Sequence, residues 1–360
     1  MVESKAITLQ EIVQEARENL GDDEWDYLIG GAETETTLKR NRLALDRLAL
    51  VPHVLTDVSS VDTRASLLGQ ELRIPVFLPP IGSLQVFDPG AAASVAIAAE
   101  KFGTLTFLSS VSEPGIEATA EASSAPKVFQ LYLMGDEGWM RERLERAIQA
   151  GYVGFCLTVD TQVYSRRERD LLKRYRPASG SQAGDINFQA RMTWDLVEKI
   201  KADYDIPLIL KGIARIEDAA RACDLGVDVV YVSNHGGRQL DQGCGCVDTL
   251  PSVVAEVDGR ATVVVDGGFV RGTDVVKGLA LGADAVGVGR LECWALAAGG
   301  VDGVVRMLEI LEHEIQVALA LLGIRSIGDL DPALLQPADP VVEPHVTSAF
   351  PHLQLPERRY

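Results

Sequence analysis

The sequence predicts a (β/α)8 TIM barrel, an α/β fold, with an N-terminal helical extension. Three observations carry this. Eight short apolar runs recur at 75–78, 104–108, 127–131, 154–159, 207–210, 228–232, 261–265 and 285–288. Val, Ile, Leu and Phe fill them without polar alternation, the pattern of parallel strands buried on both faces. Amphipathic helical stretches lie between them, and eight such units over about 250 residues match a closed barrel. A doubly wound open sheet is the competing topology. Its dinucleotide-binding form carries an early G-x-G-x-x-G, and neither that motif nor a Walker-type loop occurs.

Taken in order, residues 8–48 read as helices. Thr8 caps the first, with Glu11 three residues on. Asp22 or Asp23 starts the second, which ends near Gly30-Gly31, and 36–48 forms the third. Residues 49–74 read as irregular or short-strand connection. Helices are expected between the strands at 91–102, 115–122, 136–150, 193–202, 216–224, 250–257 and 272–281. A closing helix at 301–322 stops at Gly323, and a Pro-rich tail from Gln336 is extended. Segment 174–192, rich in Pro, Ser and Gly, is expected over the barrel mouth as a lid. The expected organisation is one domain over 1–360: helices and connection to 74, barrel and closing helix over 75–335, tail over 336–360.

The chain has 360 residues, 47% hydrophobic, and a formal charge of −18. That acidity argues against nucleic acid and anionic membranes, which need a basic face. Five cysteines, an odd number, suit reduced thiols better than a disulfide framework. Residues 1–20 lack a signal-peptide core, and no apolar run is long enough to span a bilayer. A cytoplasmic protein is expected.

Polar groups gather where the strands end: Pro80-Ile81-Gly82, Ser109-Ser110, Gln130-Leu131-Tyr132, Thr158-Val159-Asp160, Lys211, Ser233 to Asp241, Asp266-Gly267-Gly268 with Arg271, and Gly289-Arg290. In a barrel these ends open on one mouth. Each has a plain alternative: Lys211 as a rim lysine, Asp160 as a cap, Gln130 satisfying backbone, the arginines in ion pairs. The constellation outweighs them. Ser233-Asn234-His235-Gly236-Gly237-Arg238-Gln239 is the densest, offering hydroxyl, amide, imidazole and guanidinium around two glycines that let a ligand approach closely. The loops after the seventh and eighth strands are where barrels hold phosphate.

Residues 233–239 resemble the signature of the FMN-dependent 2-hydroxy-acid oxidase and dehydrogenase family, which includes glycolate, lactate and hydroxymandelate oxidases and mandelate dehydrogenase. Further motifs keep family order: Trp25-Asp26-Tyr27, Gln130-Leu131-Tyr132, Leu157 to Thr161 with Arg166-Arg167, Leu210-Lys211-Gly212, Asp266-Gly267-Gly268 with Arg271-Gly272, and Gly289-Arg290. The resemblance implies His235 as the active-site base and Asp160 as its partner. It implies Arg238 and Arg167 as the clamp on a substrate carboxylate, with Tyr27 and Tyr132 adding hydroxyls. FMN is the implied cofactor. Lys211 lies by the flavin, and Ser109, Gln130, Thr158 and Ser233 bond it. Pro80, Ile81 and Gly82 run along it, while Asp266, Gly267, Gly268, Arg271, Gly289 and Arg290 hold the ribityl phosphate. No metal is implied. Cys244-Gly245-Cys246 has only His235 as a nearby further ligand, too few for a zinc site.

Some positions depart from the family pattern. Val270 stands where the family has Arg, so Arg271 replaces that phosphate contact only in part. Gln162 and Ser165 replace the more usual Pro and Gly. Val111 stands where glycolate oxidase has a large aromatic, and Tyr164 falls at a variable pocket position. With Leu133 and Met134 this points to an aromatic or branched (S)-2-hydroxy acid, mandelate-like, as substrate. Membrane-bound members of the family carry an insertion in the lid, and 174–192 has no long apolar run; by that resemblance a soluble enzyme is expected, with O2 as acceptor and hydrogen peroxide as product. Other readings are a dehydrogenase using a quinone or protein acceptor, and a non-catalytic flavin- or carboxylate-binding barrel. By resemblance the chain is a homo-oligomer, a tetramer.

Overall fold

A computed structural model of the chain describes residues 5–177 and 187–355. The middle of the expected lid, 178–186, lies outside the described residues.

Three N-terminal helices come first: α1 (Leu9–Asn19), α2 (Asp22–Ile29) and α3 (Thr36–Asp46). Thr8 and Glu11 form the expected capping box on α1. Strand β1 (Leu48–Leu50) and a hairpin of β2 (Ala65–Leu67) and β3 (Gln70–Leu72) then lead to the barrel.

The barrel strands are β4 (Val76–Phe77), β5 (Thr106–Ser109), β6 (Lys127–Leu131), β7 (Gly154–Thr158), β8 (Leu208–Ile213), β9 (Val229–Val232), β10 (Thr262–Val265) and β11 (Ala285–Gly287). They match the eight apolar runs. Neighbours pair in parallel in the order β4-β11-β10-β9-β8-β7-β6-β5. A parallel bridge between Leu78 and Thr106 joins the two ends and closes the barrel.

The lack of alternation now has its cause. Successive strand residues face opposite sides, and both sides are dry. Phe77, Phe107, Ile209, Val229, Tyr231 and Val264 fill the barrel interior. Val230, Val232, Leu208, Leu210 and Val265 pack outward against the helices. Gly287 is needed inside, because a Cβ there would lie 2.8 Å from the Tyr231 hydroxyl.

The helices between the strands are α4 (Ala91–Phe102), α5 (Ile116–Ala122), α6 (Glu137–Gln149), α7 (Glu168–Lys173), α8 (Asn187–Ala190), α9 (Trp194–Asp203), α10 (Ile216–Asp224), α11 (Cys246–Val257) and α12 (Gly272–Ala280). Helix α11 starts before the expected residue 250, since the Asp248 carboxylate accepts from the Gly245 N–H at 3.2 Å and secures an earlier turn. Helix α13 (Gly289–Leu322) breaks at Gly299-Gly300, and its second part is the expected closing helix. Gly323 ends it in the left-handed region, φ 73°. The tail strand β12 (Leu335–Pro337) pairs antiparallel with β1. No helix among the described residues is long and apolar enough to cross a membrane.

Candidate active site

The C-terminal ends of the strands open on one cavity of about 510 Å³. Tyr27, Val111, Tyr132, Tyr164, Arg167, His235 and Arg238 line it. So do Pro80, Ile81, Gly82, Lys211, Asp266, Gly267, Gly268, Gly289 and Arg290.

The loop after β9 turns sharply: His235, Gly236 and Gly237 have φ of 59°, 63° and 76°. Such a run needs glycine at most positions. A Cβ on Gly237 would sit 2.5 Å from the Leu38 backbone nitrogen, so α3 packs directly on the turn. The Asn234 amide oxygen accepts from the Gly237 N–H at 3.1 Å, and the Ser233 hydroxyl oxygen accepts from the His235 N–H at 3.1 Å.

This turn aims the imidazole into the cavity. His235 Nδ1 lies 3.1 Å from Asp160 Oδ1, and His235 Nε2 lies 3.1 Å from the Tyr132 hydroxyl. A carboxylate only accepts, so Nδ1 carries the proton and Nε2 offers a lone pair. Burial, followed by the nearby Lys211 charge, lowers the His235 pKa below its ordinary value. Burial raises the Asp160 pKa, but His235 and Lys211 outweigh it and keep the carboxyl below its ordinary range. At neutral pH the pair is a neutral imidazole beside a carboxylate.

Lys211 is 3% exposed. Its ammonium donates to the Ser233 hydroxyl at 3.1 Å and lies 3.9 Å from Asp266 Oδ2. Burial works against this charge, yet Asp266 and Asp160 together raise its pKa. Asp266 is also fixed by the Ser233 hydroxyl at 2.6 Å and the Tyr231 hydroxyl at 2.8 Å.

Two arginines lie near one another. Arg238 donates to the carbonyls of Tyr27 at 2.6 Å and Gly30 at 3.0 Å, and its guanidinium sits 4.8 Å from the Tyr27 ring centroid. Burial and the Arg167 charge push its pKa down to about 10. Two guanidinium groups beside one cavity make a site for an anion. Arg290 donates to the carbonyls of Leu28, Gly236 and Gly30.

The strand layer beneath is polar and dry. Ser109 stands in register with Gln130, and Thr158 with Lys211. The Gln130 amide donates to the Thr158 hydroxyl at 2.8 Å, while its buried Oε1 has no partner among the described residues. Ser109, Gln130 and Thr158 are buried near the ends of their strands and do not line the cavity. Asp160 and Ser233 border an adjoining cavity of about 550 Å³.

Arg271 also stands outside the cavity lining. Its Nη2 lies 2.6 Å from Glu314 Oε1, and its Nη1 donates to the Ala349 carbonyl at 3.4 Å. Gly267 to Val270 all line the cavity and Arg271 does not, its side chain being held by Glu314 and the Ala349 carbonyl. Sequence reasoning missed Phe87, Tyr175, Arg42 and Val346 on the wall. Arg42 braces the glycine loop from α3, donating to the Gly268 carbonyl at 3.2 Å and to both Asp274 oxygens at 2.8 Å. A charged residue on the buried face of a predicted helix was the available signal. Gln189 was also missed; it ties Leu133 N–H to the Thr158 carbonyl.

The FMN-dependent dehydrogenase family model matches residues 16–337. L-lactate oxidase from Nostoc sp. is 39% identical, over 92% of this chain and 98% of its own length. 4-Hydroxymandelate oxidase from Amycolatopsis orientalis is 37% identical, over 89% and 96%. A solved mandelate oxidase with a C4a-OH-FMN adduct superposes with a TM-score of 0.85 at 36% identity, over 92% of this chain and all of that one. FMN is the cofactor. The cavity fits it: Gln130 leaves a buried acceptor unpaired, Lys211 supplies a buried positive charge, and Gly267 and Gly268 expose their backbone. The fold, the cavity and these relatives agree that the chain belongs to the FMN-dependent dehydrogenase family.

Proposed function

We propose that the protein oxidises an aromatic or otherwise bulky (S)-2-hydroxy acid to the 2-oxo acid, with O2 as acceptor and hydrogen peroxide as second product. The observation that carries the reaction is the His235 Nε2 lone pair, fixed at the cavity wall near Arg238 and Arg167. Arg238 and Arg167 bind the substrate carboxylate, and Tyr27 and Tyr132 add hydroxyl bonds. This places the substrate hydroxyl at His235, whose Nε2 takes its proton. Asp160 holds Nδ1–H and stabilises the imidazolium that forms, as an orienting carboxylate does. Bound FMN would supply the acceptor for the α-hydrogen with its electron pair, and O2, taking up those two electrons and two protons, would leave as hydrogen peroxide.

Lys211, Gln130, Thr158, Ser109 and Ser233 hold the flavin ring, with Pro80, Ile81 and Gly82 along it. Preorganised positive charge at Lys211 favours the reduced cofactor. Asp266, Gly267, Gly268, Gly289 and Arg290 hold the ribityl phosphate end. The apolar walls at Val111, Met134 and Phe87 support a bulky side chain, and two of the relatives are named for mandelate-type acids.

The test is anaerobic mixing of the FMN-loaded protein with mandelate, lactate and glycolate while following flavin absorbance, and then admitting air. Mandelate is expected to bleach the flavin most efficiently, and air to restore it with stoichiometric hydrogen peroxide. A clear preference for glycolate would remove the bulky-substrate reading. Turnover with an artificial acceptor but no peroxide would make the protein a dehydrogenase.

A further inference from the structure

We propose that residues 345–352 form a strap across the cofactor cavity that slows the release of FMN, with Val346 facing the phosphate end. This segment lies beyond the residues matched by the family model. Val346 lines the same cavity as Gly267, Gly268 and Val270, far along the sequence from any barrel strand.

The strap has a built conformation and separate anchors. The His345 N–H donates to the Ser348 hydroxyl at 3.1 Å, and the Phe350 N–H to the Thr347 carbonyl at 3.0 Å, which winds the segment into consecutive turns. Phe350 is 4% exposed and meets the Trp294 ring edge-on, with centroids 5.9 Å apart. The Ala349 carbonyl accepts from Arg271, which Glu314 holds from the other side. The His352 N–H donates to the Gln10 side chain at 2.6 Å. The anchors therefore lie on α1, α13 and the start of α12.

This arrangement gives Arg271 a structural purpose. It stands next to Val270 on the loop that offers backbone to the phosphate, yet it spends its charge on Glu314 and the tail. The glycine loop is thereby fastened from outside by the tail and from α3 by Arg42. A ligand under Val346 cannot leave along that side until the strap lifts. Lifting it exposes Phe350 and breaks the Arg271 contact, so the cost falls on dissociation, where most affinity differences between related complexes lie.

The experiment uses the full FMN-loaded chain and reads FMN release by the recovery of free-flavin fluorescence after dilution. Phe350→Ala is expected to release FMN at least about tenfold faster, with kcat at saturating FMN within about twofold of the parent. A chain ending at Asp339 should do the same. If that truncation does not fold, Phe350→Ala alone decides. Charge at Val346 gives a signed test: Val346→Asp should speed release by repelling the phosphate, and Val346→Lys should not. Unchanged release in Phe350→Ala would overturn the strap. Equal acceleration by Val346→Asp and Val346→Lys would overturn the placement at the phosphate end. A changed KM for the hydroxy acid with unchanged FMN release would make the segment a substrate lid instead. The readout needs FMN but no particular substrate, so it stands apart from the substrate proposal.

Discussion

His235 and Asp160 are joined at 3.1 Å through Nδ1 and Oδ1, which leaves Nε2 as the one imidazole nitrogen facing Tyr132 and the cavity. Asp160→Asn keeps the shape and removes the charge. It is expected to lower kcat by roughly 10²–10⁴-fold, the range for losing a positioned acid–base group, while FMN stays bound. The pH profile gives the sign. Only neutral His235 accepts a proton, and its pKa is lowered. The kcat/KM should therefore fall on the acid side with a midpoint below 6.5. A midpoint above that value would take the base role away from His235.

Arg238 is held by two backbone carbonyls and the Tyr27 ring before any substrate arrives. Arg238→Ala is expected to reduce kcat/KM by about 2–5 kcal/mol, the scale for removing one partner of a buried charge pair. Arg238→Lys should recover part of this, since an ammonium restores charge without the fork. Steady-state kinetics on both variants check the prediction. Near-normal kcat/KM in Arg238→Ala would exclude it from the carboxylate clamp.

Much of this was legible in the sequence because a parallel barrel buries both faces of each strand. The eight apolar runs mark Val76 to Gly287, and the polar residues that interrupt them mark the mouth. Asp160, Lys211 and His235 stand out for the same reason: Asp160 and His235 come within three residues of the end of a dry strand, and Lys211 lies inside one. The facing of loop residues was not legible. Val270 and Arg271 are neighbours, and a turn of one residue decides which meets the cavity. Val346 was invisible for another reason. A Pro-rich tail has no periodicity, and its place over the cavity depends on Phe350 meeting Trp294, a contact between distant parts of the chain.

Val111 is 5% exposed, lines the cavity, and has its carbonyl engaged by the Ser83 N–H at 3.0 Å. The backbone there is fixed, so a larger side chain must project into the space. Val111→Phe is expected to lower kcat/KM for mandelate at least about tenfold, as removing pocket volume of this order does, and to affect glycolate less. Equal losses on both acids would mean that Val111 does not border the substrate side chain.

Glu292 presents the opposite case, a charge-capable group in the wrong solvent. It is 1% exposed, and neither carboxyl oxygen has a hydrogen-bond partner among the described residues. Burial pushes its pKa well above the ordinary 4.5, so the folded protein keeps it protonated. The unfolded chain ionises it near the ordinary value. Protonation is then favoured by folding, and the stabilising difference is complete below the unfolded pKa. As pH rises past 4.5, each unit costs about 1.4 kcal/mol of stability until the folded pKa is passed. Glu292→Met fills the same space without a proton to hold. It should flatten the decline of Tm as pH rises above the ordinary 4.5. Thermal melts of both proteins across that range check this. A parallel decline in the two would mean that water or a partner reaches the Glu292 carboxyl and that its burial costs little.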